Sequence, residues 1–401
     1  MMVGHRTLVW PGALALTATL GLAAMSLGAL LTAAPSFRTD SVLDAYTIRV
    51  LRFTVLQAAL STVLSVIFAL PVARALARRS NFWGRTVIVR LMGLPLVLPV
   101  IVAVFGIAAV WGQNGTISHL LQLADLDALS PLYGLTGIMI AHVFFNMPLA
   151  VRLLLPVWEA VPGETWRLAA QLGMRSGAVF RLIEGPRLLA AVPGVAVLIF
   201  LLCFTSFAVV LALGGGPGAT TLEVAIYQAL RLDFDIPRAV ALGVLQVVVC
   251  AVIATAMVRF ARPVASSATE GRASLRPDTA AMGGKVCDAL WITLGVLWVA
   301  GPLLAVVMEG LAGPVIDVLS RTAVWQALAR SLGVGFGAAV LALVLGLLLL
   351  ATTRDLAVRG ARVALANRLE TAGSLTLVIS PVVLGAGLFV LLLPVIPVFD
   401  W

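Results

Sequence analysis

Charge is scarce in this chain. Only 11% of its 401 residues are Asp, Glu, Lys or Arg, where a soluble domain carries about 25%. Lysine is almost missing, because Lys285 is the only one. No Gly-rich loop ends in Gly-Lys-Ser/Thr, so an ATP site of the phosphate-cradling kind is excluded. The three cysteines, Cys203, Cys250 and Cys287, lie in or beside hydrophobic runs. Their spacing suggests neither a metal site nor a disulfide, and they read as small core residues. The three histidines, His5, His119 and His142, are scattered. No catalytic set is present, so the chain reads as a non-enzyme without cofactor or metal.

Apolar residues fill the space that charge leaves. They make up 61% of the chain, against about 45–50% in soluble proteins. Nine segments are long enough to cross a bilayer, which takes about 20 apolar residues: 8–33, 53–75, 90–111, 134–155, 189–213, 238–260, 287–310, 329–352 and 374–397. The first run extends to about Ala33. That exceeds the roughly 7–15 residue core of a cleavable signal peptide, so it reads as a retained span. The expected fold is an all-α polytopic membrane protein whose surroundings are the lipid bilayer.

The net charge of +9 sits in short loops beside the spans, a positive-inside pattern and not a nucleic-acid surface. Arg74, Arg78, Arg79, Arg85 and Arg90 mark one loop; Arg152, Arg167, Arg175, Arg181 and Arg187 mark the next on that side. Arg259, Arg262, Arg272, Arg276 and Lys285, then Arg354, Arg359, Arg362 and Arg368, continue the series. The alternate loops carry acids, among them Asp40, Asp44, Asp125, Asp127 and Asp317. This orientation puts the N-terminus in the cytoplasm. Trp10, Trp111 and Trp325 sit near span ends as interfacial anchors would.

A polar linker, 261–285, separates a first bundle, 1–260, from a second, 286–401. Rich in Ser, Ala, Gly and Pro, it reads as a flexible join. A weak repeat crosses it: L-P-V-I-V-A-V-F-G-I from Leu98 echoes S-P-V-V-L-G-A-G-L-F from Ser380, pairing Pro99 with Pro381. Six spans separate the copies, so both have the same orientation. By this count three spans repeat and the second half is incomplete.

Three motifs stand out. In the loop 156–188, Trp166, Ala169, Ala170 and Gly173 share one helical face, and Gly173 can end the helix. The loop is either an amphipathic connector or a docking element. At the outer end of the fifth span, Gly214, Gly215, Gly216 and Pro217 break the helix. Thr220 or Thr221 can cap a new one, with Glu223 in its first turn and Tyr227 and Gln228 further along. In the fourth span His142 and Asn146 share a face, as interhelical hydrogen-bonding groups or as pathway residues. Glu223, Asp233 and Asp235 form a candidate outer acidic patch that can steer a cation.

The first loop resembles the coupling loop of importer-type ABC transporter permeases, whose pattern is E-A-A-x-x-x-G, nine residues, then I-x-L-P. Gly173, Ile183 and Pro186 fall in register, and Ala169 takes the second alanine. Arg167 stands where the family has Glu, Leu168 replaces the first alanine and Gly185 replaces leucine. With L-A-A-Q-L-G-M, A-H-V-F-F-N-M-P and the segment from Leu213 to Leu230, the chain is similar to the fused two-half permeases of thiamine importers, truncated at the C-terminus. The resemblance implies a type I importer permease of about nine transmembrane helices, six plus an incomplete second half, in the bacterial inner membrane. Its partners would be two copies of a cytoplasmic ABC ATPase and a periplasmic thiamine-binding protein. Thiamine or its phosphate esters would be the cargo, and Trp166, Ala169, Ala170, Gly173, Ile183 and Pro186 would couple the ATPase. Ferric iron and polyamine importers have similar permeases. A secondary transporter or channel is disfavoured because no acid lies centrally in a span, and an inactive fragment is a further alternative.

Overall fold

The computed structural model describes residues 9–32, 44–126, 132–258, 276–279, 282–358, 362–374 and 380–392. Among them there is no strand. The first nine helices are α1 (Trp10–Thr32), α2 (Ala45–Arg78), α3 (Arg85–Leu91), α4 (Val100–Trp111), α5 (Thr116–Leu123), α6 (Leu135–Glu159), α7 (Gly163–Gln171), α8 (Ser176–Val179) and α9 (Gly185–Phe204). The rest are α10 (Ala208–Leu213), α11 (Leu222–Arg231), α12 (Ile236–Val258), α13 (Met282–Ala312), α14 (Val315–Ser320), α15 (Thr322–Val358), α16 (Val363–Ser374) and α17 (Pro381–Leu392). Lipid offers backbone groups no hydrogen bonds, so an apolar run of this length satisfies them within itself.

Eight helical segments are long and apolar enough to cross a membrane, and α17 is a shorter apolar helix of 12 residues in the ninth expected span. Residues 375–379 and 393–397 of that span lie outside the described residues, as do His5, Asp40, Asp127 and Arg259, Arg262, Arg272 and Arg359.

Two spans differ from expectation. The third does not run through 90–111: α3 stops at Leu91, a short 3-10 turn covers Leu94–Leu96, and α4 starts after Pro99. Pro95 and Pro99 each remove a backbone N–H and restrict the residue before them, so the helix restarts beyond them. The crossing segment is then Val100–Leu123. The fifth span divides at Thr205–Phe207 into α9 and α10. There the Thr205 hydroxyl donates to Leu201 O at 2.9 Å, a side-chain bond that competes with the helical ladder.

One compact unit comprises residues 45–224 and 252–309. In it α2 packs along α6 and α9. The contact carries a polar seam on α2: Thr54, Gln57, Ser61 and Ser65 are buried at helical spacing. Gln57 Nε2 donates to Cys203 O at 2.9 Å, and Ser61 Oγ lies 2.9 Å from His142 Nδ1. The other unit comprises residues 1–44, 225–251 and 310–401. In it α1 packs against α15, α16 and α17. Gly12 N–H donates to Thr352 Oγ1 and Ser26 Oγ donates to Leu384 O, each at 2.8 Å.

The seam on α2 also caps another helix. Leu222 N–H, at the start of α11, donates to Thr54 Oγ1 at 3.0 Å. Thr54→Val keeps the shape and removes the acceptor. The expected cost is about 1 kcal/mol, read as a lower thermal midpoint of the purified protein in detergent; an unchanged midpoint would show that the bond contributes nothing.

Candidate functional site

The loop after α6 begins at α7, which runs from Gly163 to Gln171. Its end is built by hydrogen bonding. Gly173 N–H donates to Ala170 O at 3.1 Å and Met174 N–H donates to Ala169 O at 3.0 Å, the pairing of a Schellman end. Gly173 sits at φ +60, where a residue with a Cβ is strained, so glycine is the natural choice here. A Cβ there would meet nothing within 4 Å, so the strain comes from the backbone alone.

The loop returns through α8 and a π turn, Phe180–Glu184, into α9. Val161, Trp166 and Val179 form its small core, with Met174 and Ile183 packed against them. The four residues expected to share one docking face therefore divide. Trp166 and Ala169 are buried inside this chain, while Ala170 and Gly173 are exposed. Pro186 is exposed at the start of α9. The outward face also carries two large apolar side chains that the periodicity did not single out, Leu168 and Leu172, 56% and 68% exposed.

The root of the loop is held by charge. The Glu184 side chain is fully buried, and its Oε2 accepts from Arg74 Nε at 2.7 Å. Its Oε1 accepts from Arg276 Nη2. Arg276 also bonds Asp278, through Nε to Oδ1 at 3.2 Å, and its guanidinium lies 4.3 Å from the centre of the Trp166 ring. Arg74 lies 5.0 Å from the centre of the Phe180 ring and donates to Ser176 Oγ at 3.2 Å. Arg79 Nε donates to Asp288 Oδ2 at 2.8 Å and Arg79 Nη1 to Thr279 O at 2.9 Å, tying α2 to α13. Arg276–Thr279 was expected to belong to a flexible linker. It is instead tied to Glu184 in the loop 156–188 and to the end of α2, because buried carboxylates need buried cations. Sequence reasoning passed over Glu184, Asp278 and Asp288. No sequence signal separates them from the other acids of the arginine-rich loops, such as Glu159, Glu164, Asp355 and Glu370.

The second candidate site starts from the glycine turn. Gly215 and Gly216 have φ of +69 and +139, values open mainly to glycine. The turn is fixed to α6 by Gly134 N–H donating to Leu213 O at 2.7 Å. Gly214 and Pro217 complete it, and Pro217 opens a 3-10 turn to Ala219. Ala219 then packs with Ile138, Val210 and Val224. Neither threonine caps α11. Thr221 Oγ1 has no hydrogen-bond partner among the described residues, and Thr220 Oγ1 points back to Gly216 O at 3.5 Å. A buried helix start takes its acceptor from the neighbour that packs on it, here Thr54.

Glu223 is fully buried, so it is no part of an exposed acidic patch. Asp235 is half-buried and accepts from Arg238 N–H at 3.0 Å, capping α12. Asp233 is exposed. Tyr227 and Gln228 are half-buried further along α11. His142 and Asn146 lie two to three turns below Gly134 on α6, about 12–18 Å along the axis. Both are buried, and Asn146 Nδ2 lies 3.3 Å from Cys203 Sγ on α9. The structure thus uses both for helix–helix contact and does not bring them to the glycine turn.

Removing Glu184 would leave Arg74 and Arg276 buried without their shared carboxylate. Glu184→Ala is expected to cost about 3–5 kcal/mol, seen as loss of the folded fraction in detergent. Full retention of the wild-type melting profile would show the cluster to be dispensable.

No family model matches the chain. The thiamine transport system permease protein ThiP of Brucella abortus strain 2308 is 46% identical over 380 residues, covering 95% of this chain and 69% of that protein. The protein of the same name from Escherichia coli K12 is 46% identical over 349 residues, covering 87% of this chain and 65% of its own length. The chain thus spans about two thirds of the length of these relatives. A solved chain of a bacterial ABC transporter involved in the import of the acidic polysaccharide alginate aligns at a TM-score of 0.47 and 15% identity, covering 56% of this chain and 81% of that one. With identity at this level along nearly its whole length, the chain belongs to the family of thiamine transport system permeases.

Proposed function

We propose that this chain is the membrane-spanning subunit of an ATP-driven importer that carries thiamine or its phosphate esters across the bacterial inner membrane. The single observation that carries this reading is the 46% identity over 380 residues to a thiamine transport permease. Residues 1–260 form the first permease half, 261–285 the linker and 286–401 part of the second. The N-terminus and the arginine-rich loops face the cytoplasm, because positive loops stay inside.

ATP hydrolysis belongs to a separate subunit, since the only lysine is Lys285 and no phosphate-cradling loop is present. Two copies of that ATPase work beneath the membrane, and a periplasmic thiamine-binding protein delivers cargo from the other side. The loop 156–188 receives the ATPase. Its outward face, Leu168, Ala170, Leu172 and Gly173, meets the partner; its inward face, Trp166 and Ala169, fixes the loop to the chain's own core. Because Glu184 is bonded to Arg74, a push on the loop reaches α2 as well as α9. The Gly214–Pro217 turn and the buried start of α11 form the outer gate region.

Gly173→Trp and Ala170→Trp place a large ring on the exposed face. ATPase stimulation is expected to persist while thiamine uptake falls at least tenfold in membrane vesicles carrying the assembled importer. Ala169→Trp is expected to lose folded protein instead, since that side chain is only 1% exposed. Wild-type uptake by both surface variants would remove the docking face. Uptake of ferric iron or a polyamine in place of thiamine would reassign the cargo while leaving the architecture intact.

A further inference from the structure

A cavity of about 900 Å³ opens where α2 and α6 end and α13 begins. Apolar spans stop at this level, at Arg78 and Glu159, and another starts at Met282. That is the depth at which acyl chains give way to headgroups. The lining is mixed: Phe82, Ile88 and Ile292 are apolar, whereas Arg79, Lys285 and Trp158 bring N–H donors.

The charges around the cavity do not balance. Arg74, Arg78, Arg79 and Arg276 face three carboxylates, Glu184, Asp278 and Asp288. Glu159 is occupied by Arg85. Lys285 is exposed and has no ion pair among the described residues. Among the described residues, five cations against three carboxylates make a net excess of two positive charges. Two buried donors on the lining residues, Arg79 Nη2 and Trp158 Nε1, also lack a hydrogen-bond partner among the described residues. Donors buried without a partner are costly, and an anion with several acceptor oxygens satisfies more than one at once.

We propose that this cavity binds the phosphate of an anionic ester, and that its source is the headgroup of an acidic phospholipid. A guanidinium and an ammonium suit phosphate oxygens. Basic pockets between transmembrane helices at the membrane boundary take such headgroups. The apolar wall gives the acyl chain a place to lie, which a free phosphate compound would leave unused.

The test uses the full chain in neutral detergent, titrated calorimetrically with short-chain phosphatidylglycerol, phosphatidylcholine and inorganic phosphate. Saturable binding of phosphatidylglycerol is expected, at least tenfold tighter than that of the other two probes. Lys285→Gln should weaken it about tenfold, the loss of one charge-assisted hydrogen bond, and Lys285→Arg should restore it. Trp158→Phe, which removes the Nε1 donor together with part of a buried ring, should weaken it several-fold while an unchanged helical content shows that the fold is kept. If inorganic phosphate binds as tightly as phosphatidylglycerol and loses affinity in the same variants, the site stands but the lipid source is overturned. Equal binding of phosphatidylcholine and phosphatidylglycerol, or wild-type affinity in both Lys285→Gln and Trp158→Phe, overturns the site itself.

Discussion

Glu184 is the point on which the arginine-rich end depends. A carboxylate with no exposed surface is stable only if cations reach it, and here Arg74 and Arg276 arrive from different parts of the chain. Each cation then has its own requirement. Arg276 brings the segment Arg276–Thr279 with it, and Asp278 and Asp288 hold Arg78 and Arg79. Taking such charges out of water costs more than a pairwise attraction returns unless every lone pair and N–H finds a partner. Here Arg78 Nε and Arg79 Nη2 stay without a hydrogen-bond partner among the described residues, so the cluster is fragile in its parts. Its consequence is a tie: the loop 156–188 is bonded to the end of α2 through Glu184 and Arg74.

Elsewhere in the chain the constraint is backbone satisfaction. Proline sets where helices start. Pro99 precedes α4 and Pro381 opens α17, and both helices are 12 residues long. The paired prolines of the weak repeat thus have one local effect at both places, and in the second copy Ser380 Oγ accepts from Val383 N–H at 3.2 Å. The glycine turn is the counterpart at the end of α10. Two residues at positive φ reverse the chain tightly enough for Leu213 O to reach Gly134 N–H.

Much of the fold was legible because lipid simplifies the problem. Helix type, approximate span ends and the Gly173 stop all follow from run length, proline and glycine. The interiors of α1, α6 and α12 fall where hydropathy puts them. What failed to show was pairing between distant residues. Trp166 and Ala170 look alike in a helical wheel's small-residue face, yet one is in the loop's core and the other is outside. Which way the face turns is decided by Val161, Val179 and Arg276, contacts that periodicity does not contain. Thr221 looked like a cap because caps are local in most helices, whereas here the acceptor lies 168 residues away. The seam on α2 was readable in principle, since Thr54, Gln57, Ser61 and Ser65 recur every three or four residues inside an apolar run.

The two ends of the first compact unit thus use polar groups in opposite ways. In the span interiors, neutral donors and acceptors pair singly, as Gln57 does with Cys203 O and Ser61 with His142. Such bonds in a membrane are individually weak, about 0.6 kcal/mol each on average. At the arginine-rich end, ionic bonds link the same α2 to α13 and to the loop 156–188, and each is expensive to break. Ionic ties thus concentrate at the arginine-rich end, while the span interiors are joined by single neutral hydrogen bonds.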